Sequence, residues 1–112
     1  MNFHVMTLFP DMITDGLNTS ITGRAIKAGI MSVTAHDIRD YSNDKHFKVD
    51  DYPYGGGAGM VMRAGPVCDC YDDIVKKVGN RPRVVYMTPQ GYTFTQAMAQ
   101  EFAKENDLVI LC

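Results

Sequence analysis

Two stretches of this sequence carry residue types able to do chemistry. The first is Asp50-Asp51-Tyr52-Pro53-Tyr54-Gly55-Gly56-Gly57-Ala58-Gly59-Met60-Val61-Met62, where four of the chain's ten glycines fall within five positions. Glycine loses more conformational freedom on folding than any other residue, so a folded chain clusters it where the backbone turns sharply or something approaches closely. Bare amides flanked by carboxylates and tyrosines suit a phosphate, a flat base or a second backbone. A Gly-rich turn or linker is the alternative, although linkers seldom interleave Tyr, Pro and Met. A triphosphate loop needs Gly-Lys-Ser/Thr ahead of a helix, and Met60 follows Gly59 here. A dinucleotide fingerprint needs a strand before its glycines, whereas a charged stretch precedes these. The second stretch is Thr88-Pro89-Gln90-Gly91, directly after the apolar run Arg83-Val84-Val85-Tyr86-Met87.

Other reactive side chains do not converge. Cys68 and Cys70 fall two apart on a predicted helix, so they point about 200° apart and cannot chelate one ion. His4 lies in a predicted strand as a core or edge histidine. No cysteine sits in an elbow of the kind a nucleophile needs. No metal site is expected. The eight methionines read mainly as core filler, with Met60 and Met62 set apart by their place beside the glycines.

The elements that must position these stretches alternate. Residues 2–8 are short, apolar and β-leaning, closed by Pro10-Asp11. A short helix is expected over 12–17. Ser20 caps a second over 21–28, with Gly29 where helices end. A strand follows over 30–35. From 36 to 59 charged residues, among them Asp37, Arg39 and Asp40, crowd a stretch with few apolar anchors, read as a long loop of the kind that is often functional. Pro66 opens a helix whose Val67, Cys70, Tyr71, Ile74, Val75 and Val78 recur at helical spacing, and Gly79-Asn80 ends it. Residues 83–87 read as a strand buried in a parallel sheet. Thr93 and Gln96 have capping-box spacing, predicting a helix to about residue 104, and a last strand begins at Leu108. The fold class is therefore α/β, a mainly parallel sheet with flanking helices. Ligands of such folds sit beyond the carboxyl ends of the strands, which points at residues 88–91.

The chain has 112 residues, 46% hydrophobic and 21% charged, with formal net charge −2. That is enough for one domain with a modest core. The charge gives no global case for nucleic acid, so any such binding rests on local features. No apolar run approaches the roughly 20 residues of a membrane span, and no secretory signal opens the chain. Three scattered cysteines make no disulfide framework and fit a reducing, cytoplasmic compartment. The chain stops inside an apolar run, 108–112, which suggests the front part of a longer polypeptide.

Four motifs occur in the order and spacing of one family: Thr7-Leu8-Phe9-Pro10-Asp11-Met12, Thr22-Gly23-Arg24-Ala25, the run from Val49 to Met62, and Tyr86-Met87-Thr88-Pro89-Gln90-Gly91. With them the whole chain resembles the N-terminal part of bacterial tRNA (guanine-N1)-methyltransferases of the SPOUT class. The resemblance implies that residues 1–112 are the N-terminal part of the cofactor-binding, catalytic domain, without the C-terminal tRNA-binding domain. It implies a homodimer with a shared site, S-adenosylmethionine held in a trefoil-knotted pocket, and methylation of N1 of the guanine 3′ of the tRNA anticodon. Tyr86, Met87, Thr88, Pro89, Gln90 and Gly91 match the first loop of that pocket. Asp50, Tyr54, Gly55, Gly56, Gly57 and Gly59 match the surface that receives the guanine, with His46 contacting RNA nearby. The general base is an aspartate downstream of this chain, so no catalytic residue is expected within it. Ala58 stands where the family often has proline, leaving this loop less rigid. The second and third cofactor loops lie beyond Cys112. Within these 112 residues the knot is thus expected to be incomplete, cofactor binding weak and activity absent. The rival readings are a non-enzymatic RNA-binding module on the same fold, which would bind tRNA indifferently to S-adenosylmethionine, and an open-sheet domain that only self-associates.

Overall fold

A computed structural model describes residues 1–42, 50–51, 61–62 and 64–112. Strand β1 (Asn2–Thr7) leads into helices α1 (Pro10–Leu17) and α2 (Ser20–Lys27), then strand β2 (Ser32–Asp37) and a 3-10 helix (Ile38–Tyr41). Two short strands, β3 (Asp50–Asp51) and β4 (Val61–Met62), precede helix α3 (Ala64–Val78), strand β5 (Arg83–Tyr86), helix α4 (Gln96–Phe102) and strand β6 (Asp107–Leu111). Four strands form one parallel sheet in the order β2-β1-β6-β5. The pairs Val5↔Ala35, Val5↔Ile110 and Val85↔Ile110 set its register. Right-handed crossovers then place α1, α2 and α4 on one face and α3 on the other.

The core lies under α3. Cys70 and Ile74 project from that helix onto Met6 of β1, Val109 of β6 and Ile38, all fully or almost fully buried. Burying an Ile or Met side chain contributes about 1.5–3 kcal/mol. Val67, Tyr71 and Val78 pack around this cluster, so the predicted face of α3 is the one that packs inward. Cys68 is exposed and Cys70 buried, and burial pushes the Cys70 thiol up to about 12.

Several boundaries differ from the sequence reading for local reasons. β2 begins two residues late because α2 ends in a Schellman closure. The amide of Ile30 donates to Ala25 and that of Gly29 to Ile26, with Gly29 at φ +75°. Ser20 does not cap α2: it is the first helical residue, at φ +55°, and Thr19 holds the cap position, its hydroxyl donating back to the Gly16 carbonyl at 2.9 Å instead of capping the helix. Thr95, not Thr93, caps α4 by accepting the Met98 amide at 3.2 Å, and this helix ends at Phe102. β5 is not a buried strand. It forms the edge of the sheet because β6 inserts between it and β1, leaving Val84 44% and Tyr86 65% exposed. The charged loop expected over 36–59 does not include residues 36–41, since His36 and Asp37 belong to β2 and a 3-10 helix with fully buried Ile38 follows; residues 43–49 and 52–59 lie outside the described residues.

Two glycines and a histidine pair show how tightly the layers meet. Gly23 of α2 packs on the end of α1, where a Cβ would sit 2.7 Å from the backbone carbonyl of Asn18. Gly79 ends α3 at φ +90°. On the α3 face, His4 Nε2 donates to Asp107 at 3.1 Å, and its ring lies 5.7 Å from that of buried His36. Burial first, then His4 and Lys77, hold the His36 pKa below its ordinary value, with Asp73 opposing.

Gly23→Ala is expected to cost about 1–3 kcal/mol, because backbone cannot yield as a flexible side chain does; a urea midpoint equal to that of the parent would contradict this packing. His36 binds fewer protons folded than unfolded. Its contribution is therefore fully present above the ordinary histidine value near 6.5 and is lost as pH falls toward the lower folded value. The stability gap between the parent and His36→Leu should shift against the parent between pH 7 and pH 5, and a gap independent of pH would refute the assignment.

Candidate functional site at the carboxyl edge of the sheet

All four strands of the main sheet leave at the same edge. The exits of β5, β6 and β1 are tied together one residue beyond the ladder: the Met87 amide donates to Leu111 at 3.0 Å and the Cys112 amide to Met6 at 3.1 Å. Beyond β5 the chain turns at once. The Gly91 amide donates to the Thr88 carbonyl at 3.2 Å, and Thr88 Oγ1 accepts the Gln90 amide at 3.3 Å. Pro89 presets the first corner of this turn, and Gln90 keeps a negative φ, as in a type I turn.

The turn is open and uncharged. Tyr86 is 65% and Met87 60% exposed, and Tyr92 and Phe94 beyond it are exposed too. No ionisable carboxylate or cation lies between 84 and 100. A ligand here would be held by stacking on Tyr86, by the Met87 thioether, by the Gln90 amide and by backbone groups of the turn. That set suits a flat heteroaromatic with polar edges. The structure places Tyr86, Met87, Thr88, Pro89, Gln90 and Gly91 on the exit of β5.

The residues expected to receive the guanine fare differently. His46, Tyr54, Gly55, Gly56, Gly57 and Gly59 lie outside the described residues, and Asp50 is described through its backbone alone. Asp50 pairs with Met62 and Asp51 with Val61, antiparallel. This two-residue ladder closes the base of the stretch that carries the glycine run.

The sequence reading missed a junction ahead of that stretch. Asp37 Oδ1 accepts the Arg39 amide at 2.9 Å, capping the 3-10 helix. Arg39 donates through Nη1 to the Leu8 carbonyl at 2.7 Å, and its guanidinium lies 5.6 Å from the Phe9 ring centroid. Tyr41 donates to Asp73 at 2.5 Å, and Lys77 pairs with the same carboxylate at 3.0 Å. Those bonds, Tyr41 first and Lys77 second, hold the Asp73 carboxyl below its usual range. Burial and the bond to Asp73 push the Tyr41 hydroxyl up. The available signal was the apolar pair Ile38 and Tyr41, three apart among the charges.

A polar cleft of about 210 Å³, lined by Asn80, Arg81, Pro82, Glu105, Asn106 and Asp107, opens at the opposite edge of the sheet. It lies at the amino ends of β5 and β6, away from the edge where parallel sheets bind ligands. Among the described residues, no group of three His, Cys, Asp or Glu side chains is placed to hold a metal ion, and no helix is long and apolar enough to cross a membrane.

A parallel sheet covered by helices on both faces, with an uncharged turn at the carboxyl end of its edge strand, defines an α/β domain of the doubly covered type. Comparison with known proteins makes this specific: residues 1–112 match the family described as tRNA (Guanine-1)-methyltransferase TrmD, and the chain belongs to that family. It is 86% identical over 112 residues to a tRNA (guanine-N(1)-)-methyltransferase of Lachnospira eligens, covering all of this chain and 48% of that protein. It is 51% identical over 138 aligned positions to one of Lachnoclostridium phytofermentans, covering all of this chain and 50% of that protein. The crystal structure of a tRNA (m1G37) methyltransferase from Aquifex aeolicus superposes with a TM-score of 0.90 at 34% identity, over all of this chain and 50% of that one. The chain spans about half the length of the curated relatives it matches.

Thr88→Val removes the acceptor for the Gln90 amide. Exchange of that amide should quicken about two- to tenfold, the scale of one exposed hydrogen bond of roughly 0.5–1.5 kcal/mol. Unchanged exchange would show that the turn does not depend on the hydroxyl.

Proposed function

We propose that residues 1–112 form the N-terminal part of the cofactor-binding domain of an enzyme that methylates N1 of the guanine 3′-adjacent to the tRNA anticodon, with S-adenosylmethionine as methyl donor. The observation that carries the reading is the turn at residues 88–91 on the ligand edge of a sheet belonging to this family. Its chemistry fits the donor. The Tyr86 face can stack on adenine, and the Gln90 amide and the turn's backbone can bond its polar edge without opposing the sulfonium charge. When bound, the donor supplies a methyl group on a sulfonium, which leaves as the thioether.

Residues of this chain act by placement. Transfer is an in-line displacement, in which the bond from N1 of guanine to the methyl carbon forms as the carbon–sulfur bond breaks, so both partners must be aligned in contact range. Residues 86–91 fix the donor side. Asp50, Tyr54, Gly55, Gly56, Gly57 and Gly59, with His46 nearby, receive the guanine, and the Asp50–Met62 pairing closes the base of that stretch. N1 carries a proton at neutral pH, so a general base is needed; it lies outside these 112 residues. The same reading includes tRNA as partner, a cytoplasmic location and a homodimer with a shared site. Met12, Ile21 and Ile30, all exposed here, support burial against a second copy.

The test is calorimetric titration of S-adenosylmethionine into the full-length protein, with methylation of a tRNA transcript followed by reverse-transcription stops at the modified guanine. Saturable binding and a stop 3′ of the anticodon are expected, with weaker donor binding by the 112-residue chain. tRNA binding indifferent to the donor, with no stop, would point instead to an RNA-binding module. Pro89→Ala combined with Gln90→Ala should weaken donor binding by about 1–3 kcal/mol; unchanged affinity would remove these residues from the pocket.

A further inference from the structure

The turn at 88–91 is the crest of a longer connection whose two ends are held differently. Its upstream end is fixed by the sheet, where the Met87 amide donates to Leu111 at 3.0 Å. Its downstream end is Thr95, which caps α4 by accepting the Met98 amide at 3.2 Å. That end is therefore only as well placed as α4 itself. Helix α4 has seven residues, and none of them is buried. Isolated helices shorter than about 12–15 residues are marginal in water, so tertiary contacts must supply its order.

Arg83, the first residue of β5, supplies charged and planar contacts together. Its Nε donates to Glu105 at 3.1 Å and its Nη2 to Glu101 at 3.4 Å, and its guanidinium lies 5.3 Å from the Phe102 ring centroid. Phe102 in turn lies 6.2 Å from Phe94, with the two rings tilted by 30°. Phe94 stands between Gly91 and the Thr95 cap, in the downstream leg of the connection. A line of contacts thus runs from the amino end of β5, along α4, to the leg that carries the turn. The fork of a guanidinium can meet two carboxylates and cover a ring at once, which an ammonium cannot. These contacts lie at or near the surface, where ion pairs contribute about 0–1 kcal/mol to global stability. Their effect falls on α4, an element with few buried contacts and so at the low-stability end of the fold.

We propose that Arg83 is a positioning residue for the methyl donor: by clamping Glu101, Glu105 and the Phe102 ring, it holds α4 against β5 and sets the downstream leg of the turn at 88–91. It stands at the amino end of β5, away from the donor edge, and acts through α4 and Phe94. The inference rests on the reading of 88–91 as the donor turn and adds to it a residue outside that turn.

The test uses the full-length protein and its Arg83→Ala and Arg83→Lys variants, with S-adenosylmethionine Kd, kcat at saturating donor and amide exchange read on each. Arg83→Ala should weaken donor binding at least fivefold while kcat at saturating donor stays within twofold of the parent. Its Gln90, Gly91 and Ala103 amides should exchange faster, and the Val109 amide in the core should keep the parental rate. Arg83→Lys, which keeps a charged donor for one carboxylate but not the fork or the planar contact with Phe102, should recover part of the affinity. A donor Kd within twofold of the parent in Arg83→Ala would overturn the inference. So would exchange at Val109 that quickens in step with Gln90, which marks general destabilisation. If Arg83→Ala does not fold, Glu101→Gln combined with Glu105→Gln decides: a threefold or greater loss of donor affinity supports the clamp, and parental affinity refutes it. A parent that binds no donor overturns the functional reading and this inference together, whereas a binding parent with indifferent variants overturns the inference alone.

Discussion

A parallel sheet forces every strand to leave at the same edge, and the rest of this molecule depends on that constraint. Each strand must be carried back outside the sheet before the next begins, so helices cover the faces while the exits gather at one side. Here the exits of β1, β6 and β5 are drawn together by the Met87–Leu111 and Cys112–Met6 hydrogen bonds. The turn at 88–91 is the loop this edge presents beside its outermost strand. Backbone hydrogen bonds fix where it starts, and Thr88 and Pro89 fix how it bends.

The two faces of the sheet serve different ends. The α3 face carries the dense core around Met6, Ile74 and Val109, and through Ile38 that core reaches the junction from which the glycine-bearing stretch departs. On the other face α4 is held to β5 more lightly: Arg83 spans Glu101 and Glu105 and stacks over Phe102, all at or near the surface. Exposed pairs of this kind contribute little to stability. The densely packed part of the domain is therefore the part that carries the 3-10 helix and its junction with β1 and α3.

Much of this was legible in the sequence, and the failures have physical causes. The α3 face was read correctly because burial on one side of a long helix imposes a 3.6-residue period that no local feature masks. The turn after β5 was legible because Pro89 and Gly91 announce it. Strand order was not: Val84 and Tyr86 are as apolar as residues of a central strand, yet β6 takes the inner place, a matter of which strand pairs with β1 rather than of composition. Thr93 and Thr95 offer two caps within three residues, and only the backbone around Phe94 chooses between them. The junction was hidden because Arg39 and Tyr41 find their partners, Leu8 and Asp73, 31 and 32 residues away, and a run of charges read alone looks solvated. The expectation that the glycine-bearing stretch receives a guanine rests on resemblance to a family, since glycines and tyrosines in themselves admit phosphate, base or backbone.

The central claim is that the methyl donor sits at the carboxyl edge, on the exit of β5. Amide chemical shifts of the ¹⁵N-labelled full-length protein during titration with S-adenosylmethionine test it most directly. The account predicts that the amides of Met87, Thr88, Gln90 and Gly91 move together and saturate at the calorimetric affinity, while those of Arg81 and Asn106, at the amino edge, stay in place. Saturating shifts centred on Arg81 and Asn106 with the turn unmoved would contradict it.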